Sequence, residues 1–451
     1  MKKTLLLTLA FGLAGASSLV AANVDVYLTG STAFRANCYN ACLALFSPPP
    51  SIYYGDAAHN GADSGFSSST AAWAMTGTPI AGLTNLSGNT LTIHGNFTGS
   101  IQGLQTVEET TKLIFPAASG TVNGLCNAYV TNSPTVGFSD SSGEACPYPA
   151  TGNYVEENVC VQPFVMCKSV ATAGAVTNIT NLSWEQLAFG IPNGRIPLAA
   201  WTGKTTDANT FVYLLQRTKD SGTRRCHTAG NYFQFNDPVT VYIYDYTNNF
   251  FYLPSVPAAT LRGASPNGVV GPNGLANVNL NWGYGYVGGG DIRTSLANGN
   301  AANQAIACLS FGDAKGLTVG GSNWFTVVPF NGVWPTAAAA GLRGNTGTND
   351  FSPITSGHYP IWGFEVLVHP IDPSLVGDQN ITQAQLGDQF TPGTFMGVFN
   401  SQTLYNGGSP LAGSIEKTIE DSKVGGASAI RLSDMSNDRP AVGGTIYPPF
   451  N

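Results

Sequence analysis

Four short apolar runs in this chain each end in a polar, glycine-containing turn, and that alternation constrains its fold more than any other feature. Val24 to Leu28 runs into Thr29-Gly30-Ser31-Thr32 and then a helical pattern over roughly residues 34–46. Thr90 to His94 runs into a turn ending at Gly99-Ser100, followed by helical spacing from Leu104 to Leu113. Thr135 to Phe138 enters Ser139-Asp140-Ser141-Ser142-Gly143, and Phe211 to Leu215 enters Arg217-Thr218-Lys219-Asp220-Ser221-Gly222-Thr223. Strands alternating with helices favour α/β layers built on parallel sheets.

The last of these turns reads as an anion cradle. Asp220 or Ser221 can cap a helix beginning at Gly222 or Thr223, and free N–H groups at a helix start attract an oxyanion. Arg217 adds a fork of donors that stays charged, Ser221 and Thr223 add hydroxyls, and Gly222 removes the Cβ that would block close approach. Ser-Gly-Thr alone is usually only a turn in so Gly- and Ser-rich a chain. The arginine four residues before the serine makes the pattern more specific.

Residues 1–22 have the basic start, apolar run (Leu5 to Ala14) and small-residue end (Val20-Ala21-Ala22) of a secretory signal peptide, so the mature chain is expected to be periplasmic or secreted. The apolar run is too short for an ordinary membrane span, and no later stretch approaches one. Without Lys2 and Lys3, 17 basic residues face 26 acidic ones, a formal charge of −9. Such a balance excludes the electrostatic footprint of a nucleic-acid binder. Any captured anion must be held by local geometry.

Eight cysteines in an exported chain suggest disulfides, with pairing unreadable from sequence. Cys38 and Cys42 share one side of a helix and are expected to seek partners elsewhere, while Cys126, Cys146, Cys160 and Cys167 are close enough in sequence to staple one region. No C-x-x-C occurs, and no histidine stands at metal-ligand spacing from a cysteine, so neither a metal nor another cofactor is expected.

A mature chain of about 430 residues exceeds the usual single core, so two lobes are expected. The reading places lobe 1 at residues 23–160 plus 324–451, including a C-terminal extension, and lobe 2 at 161–323. Val161 to Met166 is a crossing strand, and Trp324 to Phe330 a return crossing. Residues 47–75 read as a surface excursion. Ser183 caps a helix, Pro238 to Tyr244 and Asn249 to Leu253 form a hairpin, and Ala305 to Phe311 and Tyr359 to Val368 are strands.

In this order and spacing, the chain resembles the phosphate-binding protein family of ABC importers, with its two-lobed type II periplasmic binding protein-like fold. The resemblance rests on Thr29-Gly30-Ser31-Thr32-Ala33-Phe34, Gly99-Ser100-Ile101-Gln102-Gly103, Phe138-Ser139-Asp140 and Arg217 to Thr223. Asn178 to Leu187, Gly194-Arg195-Ile196, Trp201, Ala305 to Ser310 and Gly357-His358-Tyr359-Pro360 extend it over most of residues 24–370. It implies two α/β lobes, each a mainly parallel sheet flanked by helices, closing on an anion. Arg217, Ser221, Gly222 and Thr223 would grip from lobe 2. From lobe 1 the donors would be Thr32 and Ala33, or Ser31 under a small shift of alignment, together with Ser100. Asp140 would partner Arg217 and accept the proton of hydrogen phosphate, disfavouring fully ionised sulfate. The loop at 47–75, the hairpin and the C-terminal extension depart from the family's core.

Other chemistries find weaker support. Gly283-Tyr284-Gly285-Tyr286-Val287-Gly288 matches a dinucleotide pattern but lacks a preceding strand and a following acid. Thr202-Gly203-Lys204-Thr205 lacks the first glycine of a phosphate loop. No G-x-S-x-G elbow occurs, and His227 reads as a surface residue beside Arg224 and Arg225, which line a polar helix face. The expected function is capture of a small oxyanion, most simply phosphate, by a non-enzymatic solute-binding protein. An ABC permease is the partner class the resemblance implies. The alternative is a secreted or cell-surface structural protein that retains the fold without transport.

Overall fold

The computed structural model describes residues 22–56, 71–97, 99–143, 153–169, 178–218, 221–229, 233, 239–245, 250–252, 285–286, 288–297, 304–315, 318–319, 322–323, 325–337, 350–376, 380–406, 408–422 and 429–436. The expected signal peptide, apart from Ala22, and Cys146 lie outside them, as do Lys219 and Asp220 of the cradle.

The first apolar run forms β1 (Asn23–Gly30) and leads into α1 (Arg35–Leu43). Next come β2 (Ser51–Tyr54), β3 (Ala72–Gly77) and β4 (Thr90–Asn96), and then α2 (Ser100–Glu108). Helix α2 starts earlier than its apolar spacing suggests, and it ends before Thr110, whose φ of 51° cannot continue a right-handed helix. Leu113 instead opens β5 (Leu113–Pro116), which pairs with β7 (Tyr129–Asn132) beyond the two-residue β6 (Gly124–Leu125). The third run is β8 (Val136–Ser139). The 47–75 segment is more than a surface excursion. Its ends, β2 and β3, extend the main sheet because the apolar stretch from Ala72 to Met75 is buried against it.

The long strand β9 (Tyr154–Ser169) then leads to α3 (Trp184–Asn193), where Ser183 and Gln186 form the reciprocal capping box. There follow β10 (Arg195–Pro197), α4 (Ala199–Thr202), β11 (Phe211–Leu215) and α5 (Gly222–Ala229). The expected hairpin is the antiparallel pair β12 (Ile243–Asp245) and β13 (Phe250–Tyr252). The chain continues through α6 (Gly289–Ala297), β14 (Gln304–Ser310), α7 (Phe311–Lys315), β15 (Thr318–Val319), β16 (Ser322–Asn323) and β17 (Phe325–Val328). After α8 (Ser352–Thr355) comes β18 (Trp362–Pro370), and the C-terminal segment adds α9 (Gln383–Leu386), α10 (Phe395–Phe399), α11 (Thr403–Asn406) and α12 (Ile415–Ser422). No helix of the described residues is long and apolar enough to cross a membrane.

One mixed sheet joins these strands in the order β10-β11-β14-β9-β18-β8-β1-β4-β3-β2-β6, with β17 also on β9. The strands that end in the polar turns run parallel: β4 and β8 flank β1, and β14 runs beside β11. Beyond the third strand of each half lies an antiparallel strand arriving from the other half, β18 against β8 and β9 against β14. This is the α/β architecture that the resemblance implies, but the second crossing strand is β18 and not the expected run from Trp324 to Phe330, of which β17 pairs only with Met166 to Ser169 of β9 and packs in the second core. Two hydrophobic cores meet on β9. Cys160 packs with the core of β1, β4, α1 and α10, whereas Val161 packs with that of β11, β14 and α3.

Phe138 organises the first core. Its ring lies 5.3 Å from Phe34, 6.3 Å from Phe97 and 6.3 Å from Phe399, tying three strand-end segments to the C-terminal helices. The C-terminal segment is also held by carboxylates. Asn380 Nδ2 donates to Asp25 Oδ2 at 2.7 Å, Asn400 Nδ2 to Glu157 Oε2 at 2.8 Å, and the Gln389 amide to Glu157 Oε1 at 3.2 Å. At the seam, Val161 and Ile430 exchange backbone hydrogen bonds of 2.8 and 2.9 Å.

The disulfide expectation is not met among the described residues. No disulfide joins Cys38, Cys42, Cys126, Cys160, Cys167, Cys226 or Cys308 to another of the described cysteines, and all but Cys126 are buried. Cys38 and Cys42 do not seek partners elsewhere. Both point from α1 into the first core, where they face one another. Cys160 and Cys167 belong to different cores, so they cannot staple one region.

Glu157→Ala removes the acceptor shared by the buried Asn400 side-chain amide and the half-buried Gln389 backbone amide, so we expect a loss of roughly 1–2 kcal/mol in unfolding free energy. Limited proteolysis should show earlier cleavage within residues 380–406 than in the unaltered chain, while Glu157→Gln should retain part of the protection.

Candidate functional site

Three strand-end turns of the first half meet one another through backbone geometry. After β1 the chain must turn under Phe138: Gly30 adopts φ +124°, and any Cβ there would collide with the Phe138 carbonyl. That approach lets the Ser31 amide donate to Phe138 O at 2.9 Å and the Gly99 amide donate to Gly30 O at 2.9 Å. The first residue of α2, Ser100, hydrogen-bonds Asp140, which follows β8.

The fourth turn reaches the same point from the second half. Arg217 follows β11, its Nε donates to Tyr286 O at 3.2 Å, and its charge acts on Asp140. Helix α5 begins at Gly222, where a Cβ would overlap Asp140 Oδ1, so only glycine permits this approach. The Cys226 thiol, one turn further on, donates to Asp140 O at 3.2 Å. Asp140 is therefore enclosed by residues of both halves.

Of the nine residues singled out in the sequence, Ser31, Ser100, Asp140, Arg217 and Gly222 are linked by these contacts. Ser221 and Thr223 flank Gly222 and are buried, with Ser221 O accepting from the Arg225 amide at 3.0 Å. Thr32 and Ala33 follow Ser31 in the turn before α1 and are half-buried. Between the alignments left open above, Ser31 is the residue joined to the other turns.

Burial pushes the Asp140 carboxyl up to about 6, against the opposing pull of the Ser100 hydrogen bond and the Arg217 charge. Its Oδ1 lacks a hydrogen-bond partner among the described residues. Such an atom is suited to accept a proton brought by a ligand.

Helix α5 corrects the reading of its basic residues. Arg224, Arg225 and His227 are buried rather than arrayed on a solvated face. The helix packs against β14 and β18, and its polar groups are met internally: Arg224 Nη1 donates to Arg217 O at 3.1 Å and Arg225 Nη1 to Phe233 O at 2.9 Å. His227 contacts Gln216 Oε1 at 3.2 Å and Thr223 O at 3.1 Å. Burial, aided by the Arg224 charge, lowers its pKa to about 4, so it is neutral at physiological pH.

Two contributors were missed in the sequence. Cys226 entered the sequence reading only as one of eight cysteines. Glu365, the sole acid of β18, is fully buried and acts electrostatically on the Asp140 region. An acid inside the apolar run from Trp362 to Val368 was the available signal.

Because the raised Asp140 pKa lies above its unfolded value near 3.8, its contribution to stability is full below about pH 4 and lost as pH rises through about 6. In phosphate-free buffer, Asp140→Asn should remove that slope. Relative to the unaltered chain, its unfolding free energy should rise by roughly 3 kcal/mol between about pH 4 and pH 7, measured by denaturant titration.

No family model matches the chain, and no curated protein matches it. Among solved structures, the chain is similar to an ABC-type phosphate transport receptor from Vibrio cholerae, at 13% identity over 77% of this chain and 87% of that one, with a TM-score of 0.36. It is similar to PstS from Borrelia burgdorferi at 12% identity, over 78% of this chain and 89% of that one, with a TM-score of 0.32. A high-affinity periplasmic phosphate-binding protein, PfluDING, solved with phosphate, is 14% identical over 90% of this chain and 91% of that one, with a TM-score of 0.35.

Proposed function

We propose that this chain captures a small oxyanion, phosphate above all, between two lobes formed by residues 23–160 plus 324–451 and by residues 161–323. The observation that carries the reading is the meeting of Ser31, Ser100 and Asp140 with Arg217 and Gly222 on one buried point. Arg217 supplies a permanent positive charge and paired donors. Ser31, Ser100, Ser221 and Thr223 supply hydroxyls, and the start of α5 supplies backbone N–H groups beside Gly222. Thr32 and Ala33 complete the first-lobe turn.

Asp140 gives the site its selectivity. A carboxylate repels a fully ionised anion but accepts a hydrogen bond from one that carries a proton. Hydrogen phosphate satisfies it, whereas sulfate leaves two negative groups in contact. Capture proceeds by closure of the lobes, which replaces the anion's water with fixed dipoles and Arg217. No bond is made or broken in this reading. We further propose export to the periplasm or beyond, and delivery of the anion to an ABC permease.

Thermal unfolding with and without phosphate tests the proposal. Millimolar phosphate should raise Tm, with arsenate acting similarly and sulfate having little effect. Arg217→Ala should abolish the shift, and Gly222→Ala should reduce it by displacing Asp140. An unchanged Tm with all three anions would defeat the reading and leave a structural role as its successor.

A further inference from the structure

The glycine-rich run from Gly283 to Gly288 has no use as a dinucleotide site, yet its described residues Gly285, Tyr286 and Gly288 are all buried, and the first two lie against Arg217. Arg217 and Tyr286 form an isolated parallel bridge. The Tyr286 amide donates to Gln216 O at 2.9 Å, while Tyr286 O accepts from the Thr218 amide at 3.1 Å and from Arg217 Nε at 3.2 Å. One short backbone segment thus ties down the residue on each side of Arg217 and the guanidinium itself. Only glycine permits the approach at position 285. An added Cβ there would collide with the carbonyls of Arg217 and Gln216, backbone atoms that cannot swing aside.

The segment is anchored on both sides of this contact. The Tyr286 ring is buried in the second core, among residues of β11 and β14. Further on, the Gly288 amide donates to Asp291 Oδ2 at 2.9 Å as α6 begins. A Cβ on Gly289 would overlap Asp313 Oδ2, which also accepts from Ser310 Oγ, at the end of β14, at 2.9 Å. The strap therefore leads from the turn after β11 to the turn after β14.

Its contact with Nε has a chemical consequence. A guanidinium can meet an oxyanion side-on, through Nε and one Nη, or end-on, through both Nη nitrogens. Nε carries a single hydrogen, and Tyr286 O takes it. A side-on grip would have to break that bond, so the end-on grip is the one the strap favours. Fixing Nε beforehand also removes rotamer freedom that a long side chain would otherwise lose on binding. We infer that Gly285 and Tyr286 form a positioning strap that sets the Arg217 guanidinium for an end-on grip before an oxyanion arrives. This rests on the anion-capture reading and adds to it two residues that touch no ligand.

The test substitution is Gly285→Ala, which drives the strap off the Arg217 backbone and parts Tyr286 O from Nε. Phosphate affinity should be measured by calorimetry at one pH for the unaltered chain, Gly285→Ala, Arg217→Lys and the double variant. Lysine keeps a cation at position 217 but has neither an Nε donor nor a planar fork to orient. Gly285→Ala should weaken phosphate binding about tenfold in the unaltered background, and less than about twofold beside Arg217→Lys, because the strap acts through the guanidinium. An equal loss in both backgrounds marks a merely structural glycine and overturns the inference, as does no loss in either. Nitrogen-15 NMR of the unaltered chain supplies a readout that needs neither phosphate nor a variant at Gly285, the Arg217 Nε–H signal being assigned by its absence from Arg217→Lys. That hydrogen should exchange with water at least about tenfold more slowly than in free arginine. Exchange at the free-arginine rate overturns the inference even where phosphate binds. A slowly exchanging Nε–H in an unaltered chain that binds no phosphate refutes anion capture itself, and with it the strap's part in capture.

Discussion

All nine residues of β18 lie against β9 between Tyr154 and Pro163, and the placement of both cores follows from that ladder. Strand β9 continues past Pro163 to pair with β14 and β17, so a single extended segment serves the sheet of each half. Strand β18 then carries Trp362 in one core and Leu367 in the other. Because backbone pairing fixes register to a single residue, the two halves cannot slide along each other without exchanging buried faces. The turns after β1, β4 and β8 thereby face the turn after β11 at a set height.

That meeting point concentrates ionisable groups at a cost to folding. Asp140 and Glu365 are both buried, and burial dominates the upward shift of each carboxyl. Arg217, Arg224 and Arg225 bring positive charge from the second half, while His227 stays neutral beside Gln216. A core built only for stability would place apolar groups here. Several polar side chains on one buried point are the arrangement that the proposed capture of an anion would use.

Much of this was legible because local signals agreed. The four apolar runs became β1, β4, β8 and β11, since short β-prone stretches bounded by glycine and serine have few other solutions. Ser183 and Gln186 announced their capping box directly. The turns at Ser31, Ser100, Asp140 and Arg217 could be nominated, although which donor of the first turn mattered depended on how Gly30 folds under Phe138. Long-range facts were not legible. Strands β2 and β3 were hidden because a polar loop separates two short apolar stretches. The buried environment of His227 depends on elements distant in sequence, and the partners of Glu365 come from three separate segments. Cysteine count pointed to disulfides, but six of the seven described thiols have the packing of small apolar residues.

The paired backbone bonds between Val161 and Ile430 give the C-terminal segment a mechanical part in the molecule. Ala429 packs in one core, Ile430 and Leu432 in the other, so the tail crosses the same seam as β9 and β18. Any rotation of one half against the other about that seam would have to break the paired Val161–Ile430 bonds as well as bend two strands, so the tail, through residues remote from every charged group in the site, would resist it.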